Sequence, residues 1–470
     1  MHTHTIALAA IVMSAPAFAQ EHEQPQAPVD RDAIVAKHLT PLIDAYLIPG
    51  AMVGLYHDGE VTYHPIGMLN YTPDQAPDAG TLYEIGSIGK VITGVFFADA
   101  IRRGEVTKHT KLQELVPEGT TVARGDDGTE VELWHLTTHT SGWGTAPINL
   151  VITDPDRPFR GYTQEMLYAA LGKTPLMREP GSGFEYSNFA VGTLGTVLAA
   201  NAGGEYEALV KERILSPLGI DDFAITLSDE QHQRLAPPTS TGLTTEAWGE
   251  SGNPIAPAGL WSATTPALMS FAIANLRDAD KHDQAVYKSL ARAREPLYMV
   301  EEMGQQICFG WFIARDGQSY WHNGMTGGYS SYMGINREHD AAVVVLANGA
   351  TFSTTAAGEK IFQELLGMSP DPVSIPVPQR LDDAYAGRLV GNYKSQWGFG
   401  IEITTAHGFI YARVTNQQAL RVDKVGEHRF RYAPVEAELV FELPQEGDGA
   451  ARSVTLIQNG REMVCERVGE

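Results

Sequence analysis

The chain has 470 residues, 43% of them hydrophobic and 19% charged, which is too apolar for a disordered chain and long enough for more than one domain. Its 34 Lys and Arg against 57 Asp and Glu leave a net charge of −23. With no basic run, that balance argues against nucleic acid or anionic lipid as a partner. At the N-terminus, Ile6 to Met13 are apolar, and Ala17-Phe18-Ala19 before Gln20 fits the small-residue cleavage pattern of a signal peptide over 1–19. A buried N-terminal helix is the alternative. Cleavage predicts a periplasmic or secreted protein. Residues 20–34 are polar and Pro-containing at first and read as a flexible lead-in.

Asp58-Gly59 between Ala51–His57 and Glu60–Pro65 predicts a hairpin. Val91, Ile92, Val95, Phe96 and Ile101 recur at helical spacing and end at Gly104. Strand signals return at Ile307–Ala314 and Gln318–His322 around Asp316-Gly317, then at Tyr329–Ile335 and Ala341–Asn348 around Asn336–Asp340. Strands early and late, with helices between, predict an α+β domain over 35–366: one antiparallel sheet closed by both ends and flanked by helices. After Gln20 the longest apolar run is Ala341 to Ala347, too short for a membrane span.

Pro370, Pro372, Pro376 and Pro378 mark a stiff linker over 367–380. Beyond it, Ile401/Ile403, Phe409/Tyr411, Phe430/Tyr432 and Leu439/Phe441/Leu443 alternate with period two, and Asn459-Gly460 is a hairpin turn. No helix is expected there, so 381–470 reads as a small all-β barrel or sandwich. Cys308 and Cys465 fall in different units and read either as a pair or as two small buried hydrophobes.

Ser87-Ile88-Gly89-Lys90 lies where a strand-like segment, Thr81–Ile85, gives way to the first strong helix. Residues three apart share a helix face, and a desolvated lysine can take the proton of a serine hydroxyl. Ser87 is the one serine followed by Lys at that spacing. The tetrapeptide alone reads equally as a capping serine and a surface lysine. There is no Gly-x-Ser-x-Gly elbow, His-Glu-x-x-His or nucleotide loop, so neither metal nor cofactor is implied. His135, four before His139, reads as structural, and Trp143 and Trp261 as core in preference to the wall of a cleft.

Tyr83-Glu84-Ile85-Gly86-Ser87-Ile88-Gly89-Lys90 resembles the nucleophile signature of the class C β-lactamases and related penicillin-recognising serine hydrolases. Tyr186-Ser187-Asn188 is similar to that family's Tyr-x-Asn element, and His322-Asn323-Gly324 stands where it carries Lys-Thr-Gly. Leu136 to Gly142 resembles a stretch at the family's active-site floor. The likeness implies a β-lactamase/transpeptidase-like fold, with Ser87 as acylated nucleophile, Lys90 as its activator and Tyr186 as proton shuttle. It also implies substrate contacts from Asn188, His322 and Gly324, and an oxyanion hole of the Ser87 and Met325 N–H groups. Two departures are Gly89, expected to widen the site slightly, and His322 in place of a permanently charged lysine. The C-terminal strands resemble a lipocalin-like barrel, with Ala386 to Tyr393 as its opening strand.

Together these features imply an exported serine hydrolase acting through an acyl-enzyme on β-lactams or D-alanyl peptides. A carboxylesterase that ignores β-lactams and a sensor that is acylated but never released are the other readings. The expected partner is a small-molecule or peptide substrate, and a homo-oligomer stays open.

Overall fold

The computed structural model describes residues 30–71, 75–415, 417–432, 436–444 and 447–469. The leader expected at 1–19 and the first part of the lead-in lie outside the described residues. The rest of that lead-in is helix: α1 (Arg31–Asp44) starts at Asp30, whose carboxylate accepts from the Ala33 N–H at 3.0 Å. Ile34, Val35, Leu39 and Leu42 recur at helical spacing and are buried, so the segment packs as soon as it is capped.

Strands β1 (Gly50–His57) and β2 (Glu60–Gly67) form the expected hairpin, with Asp58 and Gly59 both at positive φ, 50° and 84°. β3 (Leu82–Glu84) pairs with Ser262–Thr264 in a separate small sheet and leads to α2 (Gly89–Arg102). Next along the chain come α3 (Asn188–Asn201) and α4 (Thr265–Leu276). Six strands follow: β4 (Tyr298–Val300), β5 (Gln305–Ile307), β6 (Phe312–Ile313), β7 (Ser319–Met325), β8 (Ser330–Asn336) and β9 (Ala341–Ala347). Then α5 (Ser353–Leu365) closes the domain.

The main sheet runs β2-β1-β9-β8-β7-β6-β5-β4, antiparallel throughout. Ala51 stands opposite Ala347, so the two ends of the domain meet side by side as the strand signals predict. Every residue of β9 is buried. Ala342, Val344 and Leu346 face the larger core beside α2 and α4, while Val343 and Val345 face the second core under α1 and α5. A sheet covered on both faces explains why this strand is a continuous apolar run rather than an alternating one.

Ile307–Ala314 is not one strand. Gly310, at φ 84°, turns the chain between β5 and β6, and a Cβ there would fall 2.4 Å from the Lys90 carbonyl oxygen. The bend lets this segment press onto α2, where a Cβ on Gly94 would lie 1.8 Å from the Phe309 oxygen.

The Pro-rich stretch holds neither helix nor strand, and Val373 and Ile375 pack against the second core. Ala386 to Tyr393 is not an opening strand either. α6 (Asp383–Leu389) occupies most of it, its N-terminus capped by the Asp382 carboxylate on the Ala384 and Tyr385 N–H groups. Ala386 and Leu389, three apart, are buried on its inner face. Eight strands from Gly391–Lys394 to Arg461–Val468 then close into a barrel, with Tyr393 opposite Arg467. Its interior is a core of its own, including Ile401, Ile403, Phe430, Leu439 and Phe441. Cys308 and Cys465 are both buried and unbridged.

Candidate active site

Ser87 sits in a single tight turn, Gly86–Ile88, that runs directly into α2. Gly86 is at φ 52°, and a Cβ on it would lie 2.5 Å from the Met325 nitrogen. On the facing strand β7, a Cβ on Gly324 would fall 2.0 Å from the Ile85 oxygen. Two glycines thus let a sheet strand and the nucleophile turn touch backbone to backbone. Ser331 Oγ donates to the Ile85 oxygen at 2.8 Å and locks the turn to β8. Gly89 does not open space: a Cβ there would meet Gly259 and Trp261 at 3.1 Å, so its missing side chain is used for packing.

Lys90, one position into α2 and 1% exposed, lies with Nζ 2.8 Å from Ser87 Oγ, 2.7 Å from Asn188 Oδ1 and 2.6 Å from the Ala258 carbonyl oxygen. Burial without a carboxylate partner holds its pKa well below the usual lysine value. That shift favours the neutral amine, whose lone pair can take the Ser87 proton while its hydrogens reach Asn188 and Ala258.

Tyr186 donates its phenolic O–H to Ser87 Oγ at 2.8 Å. Burial pushes the phenol far above its ordinary value, so it stays protonated. Its ring stands under Lys90 Nζ, 4.9 Å from the centroid, and stacks on His139 at 4.3 Å. His139, at φ 59°, accepts from the Ser187 N–H through Nδ1 at 3.1 Å. Burial keeps that imidazole neutral. Ser187 caps α3 by accepting from the Ala190 N–H, which places Asn188 in the first turn facing Lys90. The Leu136–Gly142 stretch thus supports Tyr186 through His139, whereas His135 serves the helix cap at Glu132.

His322 is 1% exposed. Its Nδ1–H donates to the Asn323 carbonyl oxygen at 2.6 Å, which leaves Nε2 as a buried acceptor without a partner. Burial holds its pKa at about 3, so it is neutral across the physiological range and not the part-time cation its free pKa suggests. The pocket beside Ser87, about 30 Å³, is walled by Asn188, Ala258 and Met325 and roofed by Phe159 and Trp248; His322 is not among its walls. A cleft of about 800 Å³ elsewhere, lined by Tyr206, Ala256 and Pro257, contains neither Ser87 nor Lys90.

Six residues singled out in the sequence therefore meet at one turn, Ser87, Lys90, Tyr186 and Asn188 with Gly324 and Met325 closing its far side, while His322 stands outside the pocket's walls. Trp248, Phe159 and the Ala258 carbonyl were not among them. Trp248 offers one signal, a large aromatic inside the polar run Thr245 to Glu250; a backbone carbonyl offers none. Trp143 and Trp261 are fully buried in the core.

The chain is similar to known proteins. A β-lactamase of Yersinia enterocolitica is 29% identical over 203 residues, 43% of this chain and 49% of that protein. The D-alanyl-D-alanine-carboxypeptidase/endopeptidase AmpH of Escherichia coli (strain K12) is 32% identical over 160 residues, 34% of this chain and 40% of that one. The matched stretches thus span under half the length of these two relatives. The crystal structure of a β-lactamase/D-alanine carboxypeptidase from Yersinia pestis complexed with citrate superposes with a TM-score of 0.61 at 21% identity, covering 72% of this chain and 98% of that one. The sequence model of the family described as Beta-lactamase matches residues 35–366, most of the chain, and with it this protein is a serine hydrolase that belongs to the β-lactamase family.

Proposed function

We propose that this protein is an exported acyl-transfer hydrolase in which Ser87 opens the amide of a β-lactam or a D-alanyl peptide and water releases the product. The observation that carries the reading is the hydrogen-bonded row of Tyr186 O–H, Ser87 Oγ and Lys90 Nζ, each step 2.8 Å. A neutral Lys90 takes the Ser87 proton as Oγ bonds to the carbonyl carbon and the π pair moves to oxygen. The Ser87 and Met325 N–H groups, at the same pocket, stabilise that oxygen. Collapse breaks the carbon–nitrogen bond, and the leaving nitrogen takes the phenolic proton of Tyr186, which regains one from the Lys90 ammonium. Water repeats the sequence: its proton goes to the Tyr186–Lys90 pair, and Ser87 leaves protonated.

A second reading, a carboxylesterase on the same residues, is favoured by His322. A neutral, buried imidazole supplies no cation for a substrate carboxylate, whereas an ester needs none. The test is incubation with a fluorescent penicillin and with p-nitrophenyl acetate, followed by peptide mass analysis and steady-state rates. A covalent adduct at Ser87, with turnover lost in Ser87→Ala, is the expected result. Absence of both adduct and turnover in folded protein defeats the acyl-enzyme; ester turnover without nitrocefin hydrolysis selects the second reading. Export is checked by N-terminal sequencing of the secreted form, expected to begin at Gln20.

A further inference from the structure

The roof of the Ser87 pocket is tied to the C-terminal barrel. Trp248 meets Phe159 edge to face at 5.7 Å, and both line the pocket. The backbone N–H groups of Trp248 and Gly249 donate to Glu84 Oε1 on β3, just before the nucleophile turn. The indole N–H donates to the Asp156 carbonyl oxygen at 2.7 Å. Beneath it, a Cβ on Gly327 would fall 2.6 Å from that indole nitrogen, so the ring is wedged over the β7–β8 turn.

The Asp156 side of this clamp is held from the other unit. Gln418, just before the barrel strand Ala419–Gly426, donates from Nε2 to the Pro155 carbonyl oxygen at 2.8 Å and to Asp156 Oδ1 at 3.1 Å. Both amide hydrogens are therefore spent on one loop. Thr245, three residues before Trp248, donates to the same Asp156 carboxylate at 3.2 Å. The barrel is seated independently of this contact. Tyr411 donates to the Thr241 oxygen at 2.8 Å, Arg421 donates to the Ala45 oxygen at 2.8 Å, and Phe409 meets Tyr46 edge-on at 5.0 Å. A seated barrel thus presents Gln418 at a set height above the loop that carries the pocket's roof.

We infer that Gln418 is a positioning residue through which the barrel fixes Trp248 over Ser87 and so sets which acyl groups fit. It touches no reacting atom. Trp248 lines the same pocket as Ser87, so a bulky substituent on the acyl group meets the indole. The inference deepens the acyl-transfer reading and rests on it for its kinetic consequence, while the position of Trp248 can be read without any turnover.

The experiment uses the full-length protein with Gln418→Ala, Gln418→Lys and Trp248→Phe. Acrylamide quenching of tryptophan fluorescence is compared with the Trp248→Phe protein to isolate the Trp248 share. KM and kcat are measured for p-nitrophenyl acetate and for the bulkier p-nitrophenyl phenylacetate. In Gln418→Ala, the Trp248 share of quenching is expected to rise. KM for the bulky ester should change by about fivefold, the weight of one hydrogen bond, while kcat on the acetate stays within about twofold. Gln418→Lys, which keeps a donor, should restore both. Unchanged Trp248 quenching overturns the inference, as does an equal loss of kcat on both esters that Gln418→Lys fails to restore. If quenching responds but the parent protein turns over neither ester and is neither acylated by nor turns over the fluorescent penicillin, the acyl-transfer reading falls and the positioning role stands.

Discussion

In the proposed mechanism Lys90 is the base because no carboxylate among the described residues lies within its hydrogen-bond reach. Its three neighbours are a hydroxyl, an amide oxygen and a backbone carbonyl, so burial lowers its pKa and favours the free amine. Tyr186 is driven the opposite way by the same burial and remains a donor. Base and acid are thereby separated by environment, on two side chains that share one serine oxygen. Replacing Lys90 with Met, similar in length but without a base, should lower kcat by about 10²–10⁴-fold in a protein with native circular dichroism. The wild-type kcat/KM profile should rise through an apparent pKa far below that of ordinary lysine. His322, with a pKa of about 3, should contribute no limb between pH 5 and 8. A limb in that range that disappears in His322→Gln shows the imidazole to be charged there and reverses its assignment as a neutral group.

At the scale of elements, the site exists because β7 and the 85–87 turn approach more closely than side chains allow. Gly324→Ala places a methyl 2.0 Å from the Ile85 oxygen and 2.5 Å from the Ser331 hydroxyl, and should destabilise the domain by about 1–3 kcal/mol. Activity should fall further than the melting temperature accounts for, since Met325 moves with the strand. Glu84 couples the same turn to the Trp248 loop. Its Oε1 takes two backbone N–H groups, while Oε2 and the nearby Thr326 hydroxyl form no hydrogen bond of normal geometry. Full burial outweighs these contacts and raises its pKa from 4.5 to about 7. The folded chain therefore keeps a proton that the unfolded chain releases between those values. The Glu84 contribution to stability is complete below about pH 4.5 and is lost as pH rises to about 7, on the order of 3 kcal/mol at 1.36 per unit. Urea midpoints at pH 5 and 7.5 should differ in the parent and converge in Glu84→Gln. These couplings also mark where sequence reading stops. The Ser87–Lys90 spacing, the Asp58-Gly59 turn and the period-two strands are local patterns, visible because three or fewer residues decide them. The Ala258 carbonyl on Lys90 and Gln418 on Asp156 are meetings across 168 and 262 positions, with no local signature at either end. α6 was missed because its Asp382 cap follows a proline-rich stretch and its few helical turns precede a true strand, so a strand resemblance covered both.

At the scale of the whole molecule, a net charge of −23 spreads over a catalytic domain and a barrel with separate cores. The guanidinium groups of the adjoining pocket, which shares Phe159 and Trp248 with that of Ser87, do not reverse that field. Arg157 is paired with Asp154 and Glu246, and Arg160 with Asp154. His322 adds no charge inside, so a carboxylate-bearing substrate approaches against repulsion that only counter-ions relieve. Raising ionic strength from about 0.01 to 0.1 M shortens the screening length from about 30 to 10 Å. Over that range, kcat/KM for nitrocefin, which carries a carboxylate, is expected to rise by about twofold or more, provided nitrocefin is turned over. The value for uncharged p-nitrophenyl acetate should hold. The pairing of the two probes matters, because a salt effect on folding moves both and a field effect moves one. A nitrocefin rate that instead falls with salt means that a local cation captures the carboxylate despite the surrounding charge; Arg157 and Arg160, in that adjoining pocket, are then the groups to replace.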